Sequence, residues 1–278
     1  MKSLEPIYIN ELFPKLDAEL IKLLKSLSDE DWHKPTVCAE WNVKDIVAHL
    51  LDTSLRKVST RRDKYFGLNP EDINSYQDLV AFINRINSEW VRAAKRISPQ
   101  ILIELLEQTA PVTNDLLREL DPHEQSHHSV AWAGEEISEN WFDIAREYTE
   151  RWHHQQQIRL AVDKPGVMNR ELYFPVLDAF MRALPHTYRD VTAEEKTLLK
   201  FHIVGEAGGT WFLFRENDKW LLGTDAQGTP ASEVSIPQEI AWRLFTKGIN
   251  KAEAQKHITI TGDENFGGVV LNMLSVMA

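Results

Sequence analysis

A chain of 278 residues with 43% hydrophobic and 26% charged residues has a soluble globular composition and is long enough to bury a core as one large domain or two ordinary ones; two are expected. The net charge of −11, from 31 Lys and Arg against 42 Asp and Glu, argues against a nucleic-acid partner, because phosphate binding is driven largely by basic side chains. No apolar run approaches a membrane span, the start Met1-Lys2-Ser3-Leu4-Glu5-Pro6 lacks a signal-peptide pattern, and the lone Cys38 can close no intrachain disulfide; a cytoplasmic protein without a membrane partner is expected.

Residues 9–27 repeat apolar side chains at helical spacing (Leu12, Leu16, Leu20, Leu23, Leu24, Leu27) and end at Ser28-Asp29-Glu30-Asp31. After a loop through Pro35, Asn42 stands at an N-cap position, and Val43, Ile46, Val47, Leu50, Leu51 and Val58 follow on one face of a second helix that runs to about residue 65. On that helix Arg56, Lys57, Arg61, Arg62 and Lys64 are diluted by Asp52 and Asp63 and read as a solvated face. Gly67, Asn69 and Pro70 mark a turn. A third helix spans about residues 76–97. A fourth begins at Ser98-Pro99, with Pro111 expected to interrupt or kink it. Residues 121–138 form a long loop holding His123, His127 and His128, and a fifth helix covers about residues 139–162. Long helices with no strand signal between them describe a bundle.

Asp163-Lys164-Pro165-Gly166 is the best domain boundary, dividing the chain into 1–165 and 166–278. Beyond it one helix is expected over residues 171–184. The periodicity then switches to two, giving strands near 200–206, 210–216, 219–223, 232–236 and 257–261, with Gly208-Gly209 and Asn217-Asp218 as hairpin turns. Helical segments near 237–245 and 265–277 complete a small α+β domain.

Glu150 and His154 lie one turn apart in a segment free of Gly and Pro, so they leave the same face of the fifth helix. His49 on the second helix is the candidate for a third ligand. Two imidazoles and a carboxylate leave a coordination position open for water or substrate, which is the arrangement of a working metal site. The large apolar residues Trp141, Ile144, Ala145, Tyr148, Trp152 and Val162 lie on the other side of the fifth helix, while Asp143, Glu147 and Gln157 share the face of Glu150 and His154. Either these polar faces are solvent faces, or they meet in a cavity or are covered, so that each helix is partly buried on both sides. Trp132 and Trp152 read as core residues or pocket walls. His127 and His128 read as solvated, or as a general base or alternative ligand. Arg215 and Arg243 are candidates for a carboxylate substrate.

The segment Trp32-His33-Lys34-Pro35-Thr36-Val37-Cys38-Ala39-Glu40-Trp41-Asn42-Val43-Lys44-Asp45-Ile46-Val47-Ala48-His49-Leu50, followed by Ala131-Trp132-Ala133-Gly134 and Glu150-Arg151-Trp152-His153-His154-Gln155-Gln156-Gln157, resembles the mycothiol-dependent maleylpyruvate isomerase family of the DinB-like metal-binding superfamily over most of residues 10–165. The resemblance implies a DinB-like up-and-down four-helix bundle followed by a small sterol-carrier-like α+β domain. It places His49, Glu150 and His154 on the family's metal ligands, with zinc the usual ion and Ni2+ or Fe2+ as alternatives. One departure is Gln157, where the family usually carries Asp. The activity implied is that of a thiol-dependent isomerase or S-transferase that takes a low-molecular-weight thiol as cosubstrate and a small electrophile as substrate. The rival reading is a non-catalytic metal-binding protein with a small apolar-ligand pocket in its C-terminal domain. Neither chemistry requires a protein thiol nucleophile, so Cys38 reads as a packing residue.

Overall fold

The structure, a computed structural model, describes residues 2–68 and 73–277. The chain forms two compact units: Ile9–Asp121 with Arg151–Val167 and Met277–Ala278, and Met1–Tyr8 with Pro122–Glu150 and Met168–Val276. Of the turn expected at Gly67, Asn69 and Pro70, only Gly67 is described, in the left-handed region at φ +51°; Asn69 and Pro70 lie outside the described residues.

The helical unit is built on four N-terminal helices. In α1 (Phe13–Lys25) the repeating Leu16, Leu20, Leu23 and Leu24 are all buried. Helix α2 (Val43–Lys57) starts at a capping box in which the Asn42 side chain accepts from the Asp45 amide and the Asp45 carboxylate accepts from the Asn42 amide. This satisfies two donors that a helix start leaves open, which stabilises it by about 1 kcal/mol. A wide π-helical turn, Val58–Arg62, follows, and the basic residues near it are held locally, Arg56 by Asp52 at 3.0 Å and Arg62 by Asp63 at 2.8 Å. Ser75 caps α3 (Tyr76–Ala94) and Ser98 caps α4 (Pro99–Arg118).

Helix α4 runs unbroken through Pro111, so of the expected interruption or kink the interruption does not occur. Pro111 and Glu107, whose carbonyl loses its donor, are both exposed, so water can serve that carbonyl. Leu20, Leu24, Ile46, Leu50, Leu102 and Leu106 form the core of this unit. Full burial of such a side chain stabilises the fold by about 1.5–3 kcal/mol.

The fifth helix, α5 (Asn140–Val162), contributes its second half to the same core through Ile158 and Val162. Charge also fixes it there. Arg151 donates through Nη1 to Asp17 at 3.1 Å and to Asn114 at 2.9 Å, and Asn114 donates to Asp17 at 2.8 Å, so helices α1, α4 and α5 share one buried polar knot. About two turns further on, Arg159 donates to Glu19 at 3.2 Å.

The other unit holds a six-stranded sheet in the order β1-β4-β3-β2-β5-β6, where β1 is Lys2–Ser3, β2 Leu198–Val204, β3 Gly209–Glu216, β4 Lys219–Thr224, β5 Ser232–Pro237 and β6 Thr259–Gly262. Strands β2 and β5 pair in parallel and the remaining pairs are antiparallel. Asn217 and Asp218, at φ +50° and +60°, make the tight β3–β4 turn that their residue types favour. Phe201, Ile203, Trp211 and Leu213 alternate inward to one buried face.

Helices α6 (Arg170–Met181) and α7 (Leu184–Thr187) precede the sheet, and α8 (Gln238–Phe245), α9 (Lys251–Gln255) and α10 (Glu264–Gly268) accompany its later strands. Tyr188 sits edge-on to Phe201 and Trp220 and donates to the Phe266 carbonyl at 2.8 Å; burial raises its phenol pKa. The architecture is therefore helical followed by α+β. Strand β1 and helix α9 lie beyond what periodicity indicates, being only two and five residues long. Among the described residues no helix is long and apolar enough to cross a membrane.

Candidate metal centre

Residues 34–42 set the first donor. The Pro35 and Asn42 backbones bridge, the Val43 amide donates to the Lys34 carbonyl at 3.1 Å, and the Thr36 hydroxyl donates to the Trp41 carbonyl at 2.7 Å. This closed turn delivers Trp41 to the mouth of α2, and the capping box fixes where the helix begins. His49 then follows two turns later on a buried stretch of helix, 7% exposed. On its far side α2 is held by Trp90 of α3, whose indole donates to the Ala48 carbonyl at 2.8 Å.

Helix α5 supplies the other donors. It is buried almost all round: Asp143, Glu147, His153, His154, Gln155, Gln156 and Gln157 lie below 9% exposure, as do Tyr148 and Trp152. Of the two readings of its polar face, the structure supports the buried one. Asp143, Glu147, Glu150, His154 and Gln157 form one stripe along the helix, spaced by three or four residues. Burial disfavours the charge on Arg146, but Asp143, Glu147 and Glu150 outweigh burial and raise its pKa, so a cation is stabilised beside this stripe. Asp143 is also bound by the Ser126 hydroxyl at 2.8 Å, which ties down the preceding loop.

His49 and His154 come together. Their ring centroids are 4.8 Å apart at an interplanar angle of 70°. Two imidazoles bound tetrahedrally to one zinc ion place their centroids roughly 5 Å apart, given Zn–N distances of about 2.0–2.1 Å. Trp41 packs on both, with its ring 4.8 Å from that of His49 and 6.3 Å from that of His154. Glu150, one turn before His154, joins a further histidine: donor atoms of Glu150, His153 and His154 lie within 4.8 Å of one another. The donor set of neutral nitrogens and a carboxylate suits a borderline divalent ion such as zinc.

His153 is a further imidazole beside Glu150 and His154 that pattern reading missed. The signal was the i, i+3, i+4 spacing of Glu150, His153 and His154, which puts all three near one helix face. Its ring lies 4.1 Å from that of His154. His127 and His128 are exposed. Trp152 is a core residue that donates to the Val167 carbonyl at 2.9 Å, and Trp132 packs edge-on to Phe142. Arg215 donates to Asp218 at 3.3 Å and lies over Trp220. Cys38 is half-buried, and burial raises its thiol pKa, the opposite of what an activated nucleophile needs.

Residues 13–159, more than half of the chain, match the family model of the mycothiol maleylpyruvate isomerase N-terminal domain. The chain belongs to this family. All the donors above lie inside the matched region. The fold agrees: a crystal structure of a mycothiol-dependent maleylpyruvate isomerase carrying a histidine-to-alanine mutation is similar at a TM-score of 0.52 and 12% identity, covering 91% of each chain. The crystal structure titled as the mycothiol-dependent maleylpyruvate isomerase is similar at a TM-score of 0.50 and 11% identity, again over 91% of each chain. At these identities the likeness concerns the fold. No curated protein matches the chain.

Proposed function

We propose that this protein is a metal-dependent, low-molecular-weight-thiol-dependent isomerase or S-transferase acting on a small electrophile, with His49, Glu150 and His154 as the metal ligands. The observation that carries the reading is the approach of His49 to His154, two histidines far apart in sequence, with Glu150 one turn away on a buried helix face. The family contributes the chemistry: its name couples a thiol, mycothiol, to an isomerisation of maleylpyruvate. A divalent ion at such a site acts as a Lewis acid and lowers the pKa of a bound water or thiol.

The chain's own part is to hold and shield. Two neutral imidazoles and one carboxylate hold a dication with one net positive charge, which suits one anionic sulfur ligand. Trp41 covers both rings and limits water. In the isomerase version, thiolate sulfur adds to one carbon of a conjugated cis double bond, the resulting single bond rotates, and expulsion of the same thiolate gives the trans isomer, so the thiol is returned. In the transferase version the sulfur stays on the acceptor and the displaced group or a proton completes the exchange. The α+β part beyond the bundle, residues 166–278 in this reading, is a sterol-carrier-like domain.

The test is consumption or turnover of small thiols with electrophilic acceptors, on protein loaded with zinc and on protein stripped of it. Zinc-dependent turnover with at least one thiol is expected. Metal-independent rates would contradict the metal's role, and no turnover with any thiol would favour a binding protein instead.

A further inference from the structure

A buried amide beside the donors has no place in the reading so far. Gln157 is three residues beyond His154 on the same face of α5, is 5% exposed, and its Oε1 lies 2.9 Å from Nδ1 of His154. An amide oxygen only accepts, so the bond requires the proton of a neutral imidazole to sit on Nδ1. The lone pair of that ring is then on Nε2. The spacing holds the ring in one rotation as well, because a bond from i to i+3 on a helix joins side chains that already stand one above the other.

We propose that Gln157 is a positioning residue that sets the tautomer and rotation of His154 and so selects Nε2 as its metal-binding atom. This rests on the metal reading above. Imidazoles that ligate metals commonly donate their second N–H to an outer partner, and loss of that partner typically weakens metal binding by about 10–100-fold. Here the partner is neutral. A carboxylate in its place would make the imidazole a stronger donor, whereas an amide fixes geometry without adding negative charge. Glu150 therefore remains the only anion among His49, Glu150 and His154.

Two measurements test this, one of them without metal. Nitrogen-15 NMR of the imidazoles in metal-free protein, at a pH where His154 is neutral, reads which nitrogen carries the proton. The wild type is expected to show the Nδ1–H form at His154, and Gln157→Leu is expected to lose that preference. Zinc affinity, read by competition with a chromophoric chelator, is expected to fall about 10–100-fold in Gln157→Leu and to rise about tenfold in Gln157→Glu, which keeps the acceptor and strengthens it. A proton on Nε2 in the wild type, or equal zinc affinity in all three proteins, overturns the role of Gln157 while the metal reading stands. A wild type that takes up no zinc overturns both.

Discussion

His49 and His154 stand with ring centroids 4.8 Å apart and planes at 70°, held from α2 and α5 and roofed by a single indole, Trp41. Each ring owes its place to local devices away from the donors: a capping box for α2 and a buried ion-pair knot for α5.

Trp41 is the apolar wall of the pair. Its replacement by alanine admits water to both imidazoles and loosens their setting, and zinc affinity is expected to fall about tenfold, within the range for losses just outside a ligand set. Trp41→Phe keeps an aromatic wall and is expected to stay near wild type. The chelator-competition assay distinguishes them, and equal affinities in all three proteins would remove Trp41 from the site.

The Arg151 knot makes a stability prediction. Asp17→Ala strands a guanidinium whose side chain is 7% exposed, and breaking a buried pair in this way costs about 3–5 kcal/mol. Combining Asp17→Leu with Arg151→Met removes both charges, and the combined loss is expected to be well below the sum of the two single losses. Urea unfolding of the wild type, Asp17→Leu, Arg151→Met and the double variant checks this, and additive losses would contradict it.

Much of this was legible in the chain. Asn42 and Ser98 announced helix starts because capping is a local interaction between residues three apart, and the switch to period two from about residue 200 marked the sheet, whose β2 begins at Leu198. Burial of the α5 polar stripe was not legible. A stripe containing Asp143, Glu147, Glu150 and His154 has the pattern of a solvent face, and only tertiary packing distinguishes the two. Pro111 does not interrupt α4: proline removes one hydrogen bond and crowds the carbonyl four residues back, and at an exposed position water can serve that carbonyl while the helix continues. His153 is less legible because it stands one residue from His154, about 100° around the helix, where a same-face pairing does not place it.

Asp31 supplies a pH dependence. Its carboxylate accepts from the Lys34 ammonium at 2.7 Å and from the Ser28 amide at 3.0 Å, and these hold its pKa down at about 2, against 3.8 for a free aspartate. A depressed carboxylate stabilises the fold above its unfolded pKa and loses that contribution as pH falls through the folded one. Wild type is therefore expected to be more stable than Asp31→Asn above pH 4, with the gap closing as pH falls toward 2. Thermal melts across that window read it, and a gap that persists at pH 2 would assign the difference to shape rather than charge.

Cys38 should be chemically quiet. Burial raises its thiol pKa, so little thiolate exists at neutral pH and alkylation by iodoacetamide is expected to be slow, accelerating as pH rises above 9. Cys38→Ser is expected to keep thiol-dependent turnover within about twofold, since sulfur nucleophilicity comes from the cosubstrate. Loss of turnover in that variant would return a catalytic role to the protein thiol.

The central claim is that His49 and His154 hold one metal ion together with Glu150. Metal content measured by plasma mass spectrometry on protein purified without chelator tests it most directly. About one zinc ion per chain is expected in the wild type, with near-complete loss in His49→Ala and in His154→Ala, each checked for native fold by circular dichroism. Equal metal content in all three proteins would contradict the account.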